Sequence, residues 1–290
     1  MDFSADIRVI ATSGLLLVLA SLFFLALHLR LQRQQRQRRQ NTVQQLSLLR
    51  PLIADLQRHR GLSNGVLAGD ETLCADLARV RQQVDHHIQQ AVARYAAEHT
   101  GWQGLIDHWS RLREGKTIDP ANNLTQHHLI IRNAIFLLED VARDIELGEG
   151  DASLTHLRVV WRDVVQAAEW AGQARALGTG MVASGQSTAS QRVRMRFLYQ
   201  KMQQLADSAF AALLQLTSEH SAIFAQRLPS CQHAVDTLLQ CIERELLANE
   251  HPRLSAKDYF QQATATIDEL FALVDAALYH VQAKASQRRR

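Results

Sequence analysis

Arg60 and Arg175 are the residues through which this chain could do chemistry. Arg60 opens Arg60-Gly61-Leu62-Ser63-Asn64-Gly65-Val66-Leu67-Ala68, and Arg175 opens Arg175-Ala176-Leu177-Gly178-Thr179-Gly180-Met181-Val182-Ala183. The two phrases stand 115 positions apart and keep Arg, Leu, Gly and Ala in register. A guanidinium stays protonated and presents several N–H donors in one plane, a shape that matches the oxygens of a planar oxyanion. Small residues crowd both phrases: Gly61, Ser63 and Gly65 in the first, Ala168, Ala171, Gly172, Gly178 and Gly180 around the second. A mid-helix glycine costs about 1 kcal/mol relative to alanine, so glycines here imply close backbone approach or room kept for a small ligand.

The elements that must carry these arginines follow from the apolar spacing. Steps of three and four back from Arg60 reach Leu56, Ile53, Leu49 and Leu46, and forward they reach Ser63 and Leu67. The same walk through Arg175 links Leu157, Trp161, Val164, Ala168, Ala171, Gly178 and Val182. Each set is one face of a helix, the face that normally meets a core. A guanidinium buried there without an anionic partner costs several kcal/mol, so something negative should meet each arginine. An internal carboxylate, a bound anion or a side chain reaching out to water would each answer that demand.

Three segments resemble the nitrate- and nitrite-sensing (NIT) domain family. Leu56-Gln57-Arg58-His59-Arg60-Gly61-Leu62-Ser63 is similar to its first motif, and Glu169-Trp170-Ala171-Gly172-Gln173-Ala174-Arg175-Ala176-Leu177-Gly178 to its second. Tyr259-Phe260-Gln261-Gln262-Ala263-Thr264-Ala265-Thr266-Ile267-Asp268 resembles the pattern near its C-terminal end, and the likeness spans about residues 42 to 285. The resemblance implies an all-helical sensor in which Arg60 and Arg175 hold nitrate or nitrite, supported by Gly61, Ser63, Gly172 and Gly178. It also implies signalling to an output module. The family commonly has Glu immediately before each arginine, where this chain has His59 and Ala174.

Composition agrees with helix. Of the 290 residues 47% are apolar, enough for a large core, and Pro is scarce at four. Residues 1–40 hold six Arg and two Asp, whereas the remainder is close to neutral. That remainder is a poor electrostatic match to nucleic acid, so no nucleic-acid partner is expected. Three cysteines and 13 histidines show no metal-ligand spacing, and no catalytic constellation, metal or cofactor is expected.

Residues 9–27 carry no charge and would span about 28 Å as a helix, which suits a membrane anchor. Arg30, Arg33, Arg36, Arg38 and Arg39 follow at once. By the positive-inside rule they place that flank, and the bulk of the chain, in the cytoplasm of a bacterial-type inner membrane. The expected organisation is an anchor over 1–30 in contact with lipid, a basic segment over 31–41 and a helical-bundle sensor over 42–286. Helices are expected to end at Gly69, at Thr100-Gly101 and at Gly148, and to restart at Asp119-Pro120 and Ser255. Pro51 should mark a kink or a fresh start. The leucines of the first arginine helix leave room for a second interface, a homodimer. Two functions follow: a membrane-anchored nitrate and nitrite sensor that signals to a separate protein, or a tethered helical scaffold with its arginines paired internally.

Overall fold

The computed structural model describes the backbone of residues 3–287 apart from positions 68, 98, 115–118, 148–156 and 217. Side chains are described from 19 to 283, without 68, 98, 115–118, 144–156 and 217–221. Two compact units emerge, Met1–Asn41 and Thr42–Arg290. Every regular element among the described residues is helical: α1 Phe3–Leu67, α2 Cys74–Arg94, α3 Thr100–Arg113, α4 Pro120–Leu147, α5 Val165–Ala183, α6 Ala189–Leu214, α7 Ser218–Ala225, α8 Leu228–Cys241 and α9 Ala256–Gln287. A π turn, Val160–Val164, leads into α5, and another, Ile242–Leu247, continues α8.

In the larger unit the centre is α5, which packs most extensively against α9 and α6. Val165, Ala167, Ala168, Ala171, Gly172, Ala174, Met181 and Val182 are all buried, together with Glu169, Gln173 and Arg175. A helix apolar all round belongs in the interior. The single stripe drawn through Arg175 is therefore too narrow a description of this helix. Small side chains make the burial feasible by letting neighbours approach closely. Around it, Leu46, Leu49, Ile53 and Leu56 of α1 are at or near zero exposure, as their spacing predicts; Leu52, off that stripe, is buried as well, whereas Leu67 is 37% exposed. The α1 stripe ends at Ser63.

Chain punctuation follows local chemistry. Gly69, at φ +100, closes α1, with its own N–H on Val66 O and that of Asp70 on Gly65 O. Pro51 lies inside α1, with no fresh start. Buried leucines on either side of it hold the helix by packing where a backbone hydrogen bond is lost. Thr188 and Gln191 form a reciprocal capping box before α6, and Ser255 caps α9 through the N–H of Asp258 at 3.1 Å. The expected loop at 148–151 lies outside the described residues.

In the smaller unit Leu19, Leu22, Phe23, Phe24, Leu25, Leu27, Leu29 and Leu31 stand 40–66% exposed. The span expected over 9–27 lies partly outside the residues whose side chains are described. Among the described residues no helix is long and apolar enough to cross a membrane.

Candidate functional site

Arg60, on α1, is one of the most deeply buried side chains, at 1% exposure. Its partner is Glu169 of α5: Nη1 donates to Oε1 at 2.5 Å. The same carboxylate accepts from Gln173 Nε2 on Oε1 and from Gln57 Nε2 on Oε2, both at 2.9 Å. Arg194 of α6 donates through Nη2 to Gln173 Oε1 at 2.8 Å and lies over the Phe197 ring. A polar chain thus runs from exposed Arg194 through Gln173 and Glu169 to buried Arg60. It stops there, because Arg60 Nη2 is buried with no hydrogen-bond partner among the described residues.

Gly172 explains how the guanidinium fits. A Cβ on Gly172 would lie 2.8 Å from Arg60 Nη2 and 3.7 Å from Gln57 Cδ. The absent side chain leaves the place that the arginine head occupies.

Arg175 is placed differently. It is 8% exposed, donates from Nη1 to Thr264 Oγ1 at 2.9 Å, and stacks with its guanidinium 4.9 Å from the Phe260 ring centroid. Among the described residues no carboxylate lies within ion-pair distance of it. Burial, and next the charge of Arg60, push its pKa down to about 10, while Asp268 and Glu169 act the other way from farther off. It remains a cation at neutral pH. Two buried guanidiniums therefore feel each other, one neutralised by a carboxylate and one held, among the described residues, by a hydroxyl and an aromatic face.

The supporting residues divide. Gly172 touches Arg60; Gly178 makes room instead for Tyr259, whose ring carbons would lie 2.4 Å and hydroxyl 2.5 Å from an added Cβ. The Tyr259 hydroxyl donates to Ala174 O at 2.9 Å and fastens α9 to α5. Ser63 is turned to Asn123 of α4, which donates to it at 3.1 Å. Gly61 is exposed and has nothing within reach of a Cβ. The structure thus sets Gly172 against the Arg60 guanidinium, ties the Ser63 hydroxyl to the Arg60 carbonyl at 3.2 Å, and leaves Gly61 and Gly178 in other surroundings.

A histidine cluster lies beside Arg60. His59 Nδ1 and His127 Nε2 are 2.8 Å apart, and His127 Nδ1 is 2.7 Å from Asn123 O. A carbonyl only accepts, so in neutral rings His127 donates from Nδ1 and His59 donates to His127. Burial holds both imidazoles well below their usual range. His128 is pushed down to about 4 by burial and then by Arg60, with Arg194 adding to the effect.

The sequence assigns no site role to Glu169, Gln57, Gln173, Thr264 or Phe260. All five lie inside the three quoted motifs, yet spacing from the arginines singles none of them out. Away from the site, Arg50, Asp55, Arg58, Arg79, His86 and His87 line an open groove of about 490 Å³ between α1 and α2. Arg50 and Arg58 are paired there with Asp275 and Asp55.

A family model described as nitrate and nitrite sensing matches residues 51–282. Among solved structures the fold is similar to that of the NasR transcription antiterminator, with a TM-score of 0.68 and 21% sequence identity. That match covers 92% of this chain and 75% of the other, and at such identity it speaks to the fold alone. No curated protein sequence matches the chain.

Proposed function

The chain belongs to the nitrate- and nitrite-sensing family, and from that premise we propose that it binds nitrate or nitrite between the helices carrying Arg60 and Arg175. Binding then changes how those helices pack, and a separate output protein reads the change. One observation carries the reading: Arg175 is a buried cation with no carboxylate partner among the described residues. An oxyanion beside it relieves its repulsion with Arg60 and gains hydrogen bonds to charged donors, each about 1.5–3 kcal/mol. Phe260 and Thr264 hold the guanidinium by a ring face and a hydroxyl.

The scaffold reading, with both arginines paired internally, is favoured by the Arg60–Glu169 contact taken by itself. Arg175 separates the two. Nitrate or nitrite, against chloride at equal ionic strength, raises the melting temperature of a sensor and leaves a scaffold unchanged. A ligand bound only by the folded state adds about 2.7 kcal/mol at a hundredfold excess over its dissociation constant. Arg175→Ala removes that gain while the helical circular dichroism persists. An equal gain in Arg175→Ala and wild type rejects the site.

For location, the proposal is a bacterial-type inner membrane with residues 42–286 on the cytoplasmic side. Its support is the uncharged run 9–27, the exposed apolar side chains of 19–31 and the five arginines that follow.

A further inference from the structure

The carboxylate of Glu169 is cradled in an unusual way for a structural ion pair. It is 2.5 Å from Arg60 through a single nitrogen, although a guanidinium facing a carboxylate can offer two parallel N–H donors. Gln57 and Gln173 complete a ring of three donors around its two oxygens. Arg60 Nη2 meanwhile is buried and has no hydrogen-bond partner among the described residues. A buried donor left unmade is costly, and in a native site it calls for an explanation.

The chemistry of the expected ligands supplies one. Nitrite is a bent anion whose two oxygens share one negative charge, the same outline as the end of a glutamate. Nitrate adds a third oxygen in the same plane. The donors that satisfy Glu169 are thus those a flat oxyanion needs, and Nη2 is an additional donor that the carboxylate leaves unused. Because Glu169 Oε1 and Oε2 are both engaged, an anion can take the full set only by displacing them.

Resting on the sensor reading of this site, we propose that Glu169 is an internal stand-in for the ligand: its carboxylate occupies the Arg60 seat in the free protein, and nitrite or nitrate must displace it. Glu169 thereby sets the anion concentration at which the sensor responds. The displaced carboxylate has a second cation within its own network, since Arg194 is one glutamine away on the solvent side. Exchange from Arg60 to Arg194 would uncouple Glu169 from α1 and join it to α6.

The test is thermal unfolding of the full chain in detergent, as wild type, Glu169→Gln and Glu169→Asp, in chloride and in nitrite or nitrate at one ionic strength. In chloride both variants melt below wild type, because Arg60 has lost its anion. In nitrite or nitrate the gain in melting temperature is larger for Glu169→Gln than for wild type. The half-saturating concentration falls by about tenfold or more, since a like charge a few ångströms from the anion has been removed. Glu169→Asp, whose shorter side chain withdraws from Arg60, behaves in the same direction and serves if the glutamine variant does not fold. A gain in the variants no larger than in wild type, zero included, overturns the proposal. A gain in Glu169→Gln with none in wild type upholds the competitor and rejects the sensor reading.

Discussion

Glycines carry much of the site's geometry, and three of them make opposite demands. Gly178 faces the buried ring of Tyr259, which is fixed by its hydroxyl to Ala174 O. In Gly178→Ala the ring must shift, and overpacking of this kind costs about 1–3 kcal/mol, more than the helix gains from alanine. Gly61 faces open space, so Gly61→Ala raises stability by about 1 kcal/mol. Gly172 faces the end of Arg60, and Gly172→Ala moves the guanidinium off Glu169, which lowers stability and impairs any anion response together. Urea unfolding of the three variants checks the signs; a Gly178→Ala protein as stable as wild type contradicts the packing of Tyr259. The sequence places Gly61, Ser63, Gly172 and Gly178 in one class because all are small. Size says that space is needed, but what fills it is set by other helices, α1 at Gly172, α9 at Gly178 and α4 at Ser63, tens of residues away.

The helices themselves were largely legible, and where they were not the reason is physical. Periodicity located α1 through Leu46, Leu49, Ile53 and Leu56, since one buried face against one exposed face leaves a clear pattern. Around Arg175 the pattern misleads, because α5 is covered on all sides and alanine and glycine occur on every face. Glu169 was invisible for that reason: it lies off the drawn stripe, and only a fully enclosed helix buries it. The anchor expected over 9–27 calls for a test of its own. A cytoplasmic reporter joined after Arg290 should be active and a periplasmic one silent, as five arginines beyond an apolar run dictate. The reverse pattern moves the sensor outside without altering the site.

Taken as a whole, the larger unit encloses polar groups that must remain in one ionisation state, and this sets its response to acid. His59, His108, His127 and His128 all have folded-state values lowered, chiefly by burial. Nearby cations add to this, Arg60 at His127 and His128, Arg194 at His128, Arg81 at His59 and Arg111 at His108, while the Asn123 carbonyl at His127, Gln126 and Asp107 at His108 and Glu169 at His128 act the other way. In the unfolded chain each imidazole takes its proton near pH 6.5. Below that point the unfolded state binds protons that the folded state refuses, so stability is fully present above pH 6.5. It is lost as pH falls toward about 4, the value for His128. The two most deeply buried imidazoles, His59 and His127, each contribute a slope of about 1.4 kcal/mol per pH unit in this window. Glu139, whose folded value is raised by burial, works in the opposite sense but is one group against four among the described residues. Urea midpoints should therefore be level from pH 8 to 7 and fall steeply from pH 6 to 4.5. Replacing His59 and His127 together by glutamine, which keeps a hydrogen-bonding side chain at each place, should make that fall shallower. An unchanged slope in the double variant would assign the acid sensitivity to other groups and break the link between the buried pair and the stability of the fold.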